Sequence, residues 1–206
     1  MQGAAFSDRT LREWVTDARA RTVAQVADLS EAQLDVPLLP TLNPLLWELC
    51  HAAYFAEFWI LREGAGQAPC RPDVDELFDS ITIGHETRWR LPVPDRAGAL
   101  EYVHEVRDRV LALIDAGADD RLRYLVAYAV FHEDMHAEAL AYARQTLGCP
   151  PPPFDPAAAP TSSASDGARA EVDAGDAHVP GCTLELGAPR GAPSCCANER
   201  RAHPGR

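Results

Sequence analysis

Through the first 150 residues the apolar positions recur at helical spacing. Leu11, Trp14, Val15, Ala18 and Thr22 fall three or four apart, and Ser7 stands in front of them as a capping side chain for a helix beginning at Asp8. The run "DVPLLPTLNP" ends that region and starts another. Asn43 offers a cap and Pro44 a first-turn residue whose missing N–H costs nothing, which predicts a second helix running to about Glu63, where Gly64 stops it. Asp95 caps a third helix, in which Leu100, Val103, Val106, Val110, Leu113 and Ile114 form one stripe; Gly117 ends it. Asp119 or Asp120 opens a fourth helix that closes at Gly148. Four helices of this kind, each with one apolar face, predict an all-α fold: a four-helix bundle over residues 1–149. Residues 64–94, between the second and third helices, are rich in Pro, Asp and Arg. They are long for a plain connection, and long loops in compact domains are commonly functional. There is no internal repeat.

After Cys149 the pattern changes. Residues 150–178 read as a Pro/Ala/Ser linker, too poor in large apolar groups to build a core. Within residues 179–206, "CTLELGA" alternates like a short strand. That final stretch is too small to bury a core of its own and reads as the incomplete start of a further domain.

Composition narrows the function classes. The chain has 206 residues, 47% of them hydrophobic, and a formal net charge of −12. The acidic balance argues against nucleic acid, whose phosphates need a basic face, and against an anionic membrane surface. The opening "MQGAAFSDRT" has no basic start and no apolar block, so it does not read as a signal peptide. The most apolar stretch, "PLLWELCHAAYFAEFWIL", carries Glu48, His51 and Glu57, which suits a buried helix better than a membrane span. A cytoplasmic protein is expected. The six cysteines include no C-x-x-C pair, so zinc-finger spacing is absent and reduced thiols are expected.

The chemistry centres on "AYAVFHEDMHAEALAY", residues 127–142. On a helix His132 and His136 lie about 40° apart. They share a face with Leu125, Ala129, Ala139 and Ala143, a stripe that should point into the bundle. Two buried imidazoles need partners, and histidines at i and i+4 can chelate one ion. "HEDMH" fits the H-E-x-x-H pattern literally, but the pair is too short a signal to name the metal. His51, midway along the second helix among Trp47, Tyr54, Phe55 and Phe58, reads as a core histidine or as a third ligand. Antiparallel packing favours the latter by bringing helix midpoints together, which makes a three-imidazole site with open positions. Glu138 lies off the face, about 240° around from His132. It suits a role behind the ligands or an interhelical ion pair equally.

These motifs carry a resemblance. "PLLWELCHAAYFAEFWIL" followed by "HEDMHAEAL" resembles the DinB-like bundle of the ergothioneine sulfoxide synthases, and "VPGCTLELGAPRGAPSCCANERRAHPGR" is similar to the opening of their formylglycine-generating-enzyme-like domain. The resemblance implies a non-haem Fe(II) enzyme that uses dioxygen to join a sulfur donor to hercynine, with His51, His132 and His136 as iron ligands. The run "ELFDSITIGHETRWRLPVPDR" departs from the ergothioneine pattern and looks more like the selenoneine synthase branch, whose donor is a selenosugar. On that reading residues 64–94 set donor choice and Arg88 touches the donor; otherwise Arg88 is a solvated loop arginine. His85 is a polar contact or surface. The short final segment implies that these 206 residues bind iron but turn over poorly without the rest of that domain. Two alternatives stay open: a DinB-like metal-dependent thiol transferase using zinc or nickel without oxygen, and a non-catalytic metal-binding remnant.

Overall fold

The computed structural model describes residues 6–153, 180–188 and 203–205. They fall into two compact units that divide near residue 154. In the first unit α1 spans Asp8–Ala27, and Ser7 Oγ accepts from the Thr10 N–H at 3.1 Å, as its position predicts. A one-turn helix, α2 (Glu31–Leu34), follows with a capping box between Ser30 and Gln33. It is too short for any periodicity to reveal. α3 runs Leu45–Ala56. Its N-cap is Pro44, and Asn43 makes no capping bond: its side chain is turned to Glu48 and Arg88 instead.

Beyond Ala56 the same helix widens into a π-helical turn, Glu57–Arg62. Glu57 is fully buried there; its carboxylate accepts from Tyr102 Oη at 2.8 Å and from the Cys70 N–H at 3.2 Å. The wide turn unwinds at Gly64. A Cβ on Gly64 would stand 2.5 Å from the Ile60 carbonyl oxygen and 3.1 Å from Leu125 Cδ1 on the neighbouring helix. Gly64→Ala is therefore expected to destabilise the bundle by about 1–3 kcal/mol, the usual cost of overpacking. Urea unfolding checks this, and a midpoint unchanged from the parent would show that the turn relaxes freely.

Residues 64–94 are not one irregular loop. They contain α4 (Val74–Phe78) and a 3₁₀ turn, His85–Arg90. α4 forms because Val74, Leu77 and Phe78 bury against the bundle, with the Phe78 ring stacked on Tyr102 at 5.7 Å. α5 (Arg96–Asp115) and α6 (Asp120–Thr146) follow. Asp95 caps α5 through the Gly98 N–H, and Asp119, rather than Asp120, caps α6 through the Leu122 N–H at 2.7 Å. Gly117 leaves α5 at φ 95°, a left-handed conformation that glycine adopts without a Cβ penalty.

The four long helices make the expected bundle. α1 packs against α5 and α6, and α3 packs against the same two. Leu11, Trp47, Leu49, Phe78, Tyr102, Val106 and Leu140 sit in its core. Buried Arg144 closes one end by bonding to Asp28, the Gln25 carbonyl and the Pro150 carbonyl. That last bond places residues 150–153 with the bundle rather than with the linker predicted from residue 150 on. The remainder of that linker, to residue 178, lies outside the described residues.

In the second unit, β1 (Leu184–Leu186) pairs antiparallel with β2 (His203–Gly205), Leu184 facing Gly205 and Leu186 facing His203. The strand expected in "CTLELGA" is thus present; most of the run after it lies outside the described residues. Among the described residues, Cys50, Cys70, Cys149 and Cys182 are free thiols, and no helix is long and apolar enough to cross a membrane.

Candidate metal centre

α3 and α6 place three imidazoles together. One ring nitrogen from each of His51, His132 and His136 lies within 4.8 Å of the other two. His51 is buried, and His132 and His136 are half-buried on the facing helix. The ring centroids are 4.7 Å apart for His51 and His136, 5.5 Å for His51 and His132, and 4.4 Å for the α6 pair.

Two of the three tautomers are fixed from behind. α4 ends with carbonyls that its own backbone cannot satisfy. Trp47 Nε1–H donates to the Leu77 carbonyl at 2.7 Å, and His51 Nδ1–H to the Phe78 carbonyl at 2.8 Å. A carbonyl cannot donate, so His51 Nδ1 carries the proton and Nε2 keeps its lone pair in the neutral ring. His136 Nδ1 lies 2.6 Å from Glu48 Oε1, and the carboxylate imposes the same tautomer. Aromatic rings hold the imidazoles in place. Trp47, one helical turn before His51, stacks on it at 4.9 Å and 6°, and Phe55 stacks on His132 at 3.6 Å and 8°.

Burial keeps two of the rings, His51 and His132, neutral. Burial lowers His51 to about 4, helped by the charge of His136 and opposed by the Phe78 carbonyl. Burial, with both neighbouring histidines, drives His132 further down. For Glu48, burial pushes the carboxyl up, but the bond and charge of His136 and the amide of Asn43 outweigh it, and the net shift is downward.

Three imidazoles with a ring nitrogen of each gathered at one place are the donor set of a metal. The Nε2 atoms of His132 and His136 are 3.2 Å apart. Two nitrogens at roughly 2.1 Å from a common ion, subtending 90–110°, span about 3.0–3.4 Å. His132 Nδ1 is buried without a hydrogen-bond partner, so among the described residues no hydrogen bond from behind orients this ring as they do the other two. The residues fit a metal held on one face by three nitrogens. The donor set suits iron, zinc, copper or nickel alike.

Other expected residues stand elsewhere. Glu133, the glutamate of the H-E-x-x-H match, points away from the histidines to Arg19 on α1, Oε1 lying 3.1 Å from Nε. It is not placed to act as a base beside a metal. Glu138 is exposed and makes no hydrogen bond or ion pair with the described residues. The carboxylate behind the triad is Glu48, which the sequence shows only as a charge in an apolar helix. It lies one turn from His51, and that spacing was the available signal. Arg88 is not a solvated loop arginine. Its guanidinium sits 4.1 Å from the Trp47 ring centroid, and Nη1 donates to Asn43 Oδ1 at 2.7 Å. His85 is tied to the Leu42 carbonyl at 2.6 Å.

The triad and its supports lie within the part of the chain that known proteins share. The DinB superfamily profile matches residues 15–142. The hercynine oxygenase of Mycolicibacterium smegmatis is 30% identical over 144 residues, covering 69% of this chain and 33% of that protein. The hercynine oxygenase of Mycolicibacterium thermoresistibile is 32% identical over 146 residues, covering 69% and 32%. The hercynine oxygenase of Mycobacterium tuberculosis is 32% identical over 128 residues, covering 61% and 30%. The chain therefore spans about a third of the length of these curated relatives. The matched region takes in most of all four long helices and all three histidines, and on that ground the chain belongs to the DinB superfamily.

Proposed function

We propose that this chain is the metal-binding helical part of an Fe(II)- and dioxygen-dependent enzyme that forms a C–S or C–Se bond on hercynine. The observation that carries the proposal is the convergence of His51, His132 and His136, with the proton-bearing nitrogens of His51 and His136 turned outward. The name and identity of the relatives supply the substrate. Iron held by the three nitrogens supplies redox chemistry with dioxygen.

The chain's own residues bind and orient. The three imidazoles present lone pairs, and the Phe78 carbonyl and Glu48 hold the protons of His51 and His136 on the far side. Trp47 and Phe55 stack on two of the rings and keep water from them. We assign residues 64–94 to donor selection. α4 fixes that segment to His51 and to Trp47 through two carbonyls, and the 3₁₀ turn carries Arg88 to the face of Trp47. Arg88 is the proposed donor contact: its Nε is buried and unpartnered. The run from Asp79 to Pro94 favours a selenosugar over a thiol on its likeness to the selenoneine branch. Residues 179–206 are assigned to the opening of a formylglycine-generating-enzyme-like domain.

A second reading is a zinc- or nickel-dependent thiol transferase. Its support is the donor set, which does not discriminate between these metals and iron. The test is made on the chain itself. It is loaded anaerobically with Fe(II), nitric oxide is added as a probe of open positions, and hercynine is titrated while the EPR signal is followed. The expected result is a saturable change in that signal with hercynine and none with histidine at the same concentration. An iron-loaded chain whose signal ignores hercynine overturns the proposed substrate.

A further inference from the structure

We propose that Glu48 is a positioning residue of this centre: its buried carboxylate fixes the ring of His136, and Asn43 in turn ties that carboxylate to Arg88 in residues 64–94. The inference rests on the metal reading above and goes beyond it, because it assigns a residue outside the ligand set.

Glu48 is only 4% exposed. Both of its oxygens are engaged. Oε1 takes the His136 Nδ1–H at 2.6 Å, and Oε2 takes the Asn43 amide N–H. The amide orientation is fixed by its other partner: Asn43 Oδ1 accepts from Arg88 Nη1 at 2.7 Å, so its nitrogen must face the carboxylate. Among the described residues no arginine contacts Glu48 directly; Arg88 balances its charge at one remove, through Asn43.

Arg88 reaches the triad by two routes. One runs through Asn43 and Glu48 to His136. The other runs through the face of Trp47 to His51, since the guanidinium lies over that ring and the ring lies over the imidazole. A carboxylate behind a ligating histidine sets ring orientation and raises ligand basicity. A segment tied to both histidines therefore holds the centre's geometry as well as bordering it.

The test uses Co(II) as the metal, added anaerobically to the whole chain. Affinity is read by chelator competition, geometry by the visible spectrum, and the His136 Nδ1–H by its paramagnetically shifted proton resonance. Glu48→Leu is expected to lower affinity by about 10- to 100-fold and to shift the visible bands. Glu48→Gln keeps an acceptor for His136 but loses the charge. It is expected to retain affinity within about tenfold while moving the Nδ1–H resonance. Because Gln preserves shape and one bond, it keeps the proposal testable should Glu48→Leu not fold. Unchanged affinity and spectrum in Glu48→Leu, or an unmoved resonance in Glu48→Gln, overturns the inference alone. A parent chain that takes up no Co(II) overturns the metal reading itself.

Discussion

Alanine at His51, His132 and His136 together is expected to abolish tight binding of Fe(II) while the bundle stays folded. The first half follows from ligand count. Structural sites with four protein ligands bind with apparent energies of about 10–16 kcal/mol, so one ligand contributes roughly 3 kcal/mol, or a factor of about 100 in affinity. Three losses leave no chelate. The second half follows from where the core lies. Leu11, Leu49, Phe78, Val106 and Leu140 pack without the imidazoles, burial holds His51 and His132 neutral, and Glu48 is the one buried carboxylate that loses a hydrogen-bond donor. Freeing the Phe78 carbonyl and uncovering Glu48 should cost about 1–3 kcal/mol each. That is a lowered melting temperature, not an unfolded chain. The check is the iron-to-protein ratio after anaerobic loading and desalting, with far-UV circular dichroism alongside. A folded triple variant that retains the parent's iron would place the site elsewhere.

What the sequence made legible here was local. The caps at Ser7, Asp95 and Asp119 work because a short oxygen-bearing side chain sits next to a free N–H, whatever the rest of the chain does. The i, i+4 pair on α6 is legible for the same reason. Asn43 has the same local grammar yet does not cap, because Glu48 and Arg88 compete for its amide and win. The π-turn at Glu57–Arg62 leaves the apolar spacing almost unchanged, so periodicity could not show it. Glu48 was hidden differently. Its partner His136 is 88 positions away, and their meeting depends on the register of α3 against α6, which no window of sequence encodes. Glu138 illustrates the reverse: two residues from His136 in sequence, it is exposed and makes no hydrogen bond to either histidine of α6.

The second large effect is expected at Glu133, where the H-E-x-x-H pattern and the structure give opposite answers. A base beside a metal, once changed to glutamine, would cost reactivity and leave stability nearly intact. Here Glu133 and Arg19 are buried, with side chains 6% and 3% exposed, so solvent screens the pair hardly at all. Their geometry is imperfect. Arg19 Nη2 donates to Oε2 at 3.1 Å, but Nε, though 3.1 Å from Oε1, is not aligned for a hydrogen bond, and Nη1 has no acceptor. The void beside the pair is about 10 Å³, scarcely room for one water, so nothing replaces a missing partner. Glu133→Leu or Arg19→Met alone is therefore expected to destabilise the bundle by about 3–5 kcal/mol, the cost of an uncompensated buried charge. For a unit of this size that lowers the melting temperature by roughly 6–20 °C. The double variant should recover most of the loss, since a misaligned buried pair is readily matched by apolar packing of similar volume. Glu133→Gln should bind Co(II) as the parent does. Thermal denaturation of the four chains and a cobalt titration decide between the two answers. A single variant that melts with the parent, or a glutamine variant that loses its metal, would return Glu133 to the centre.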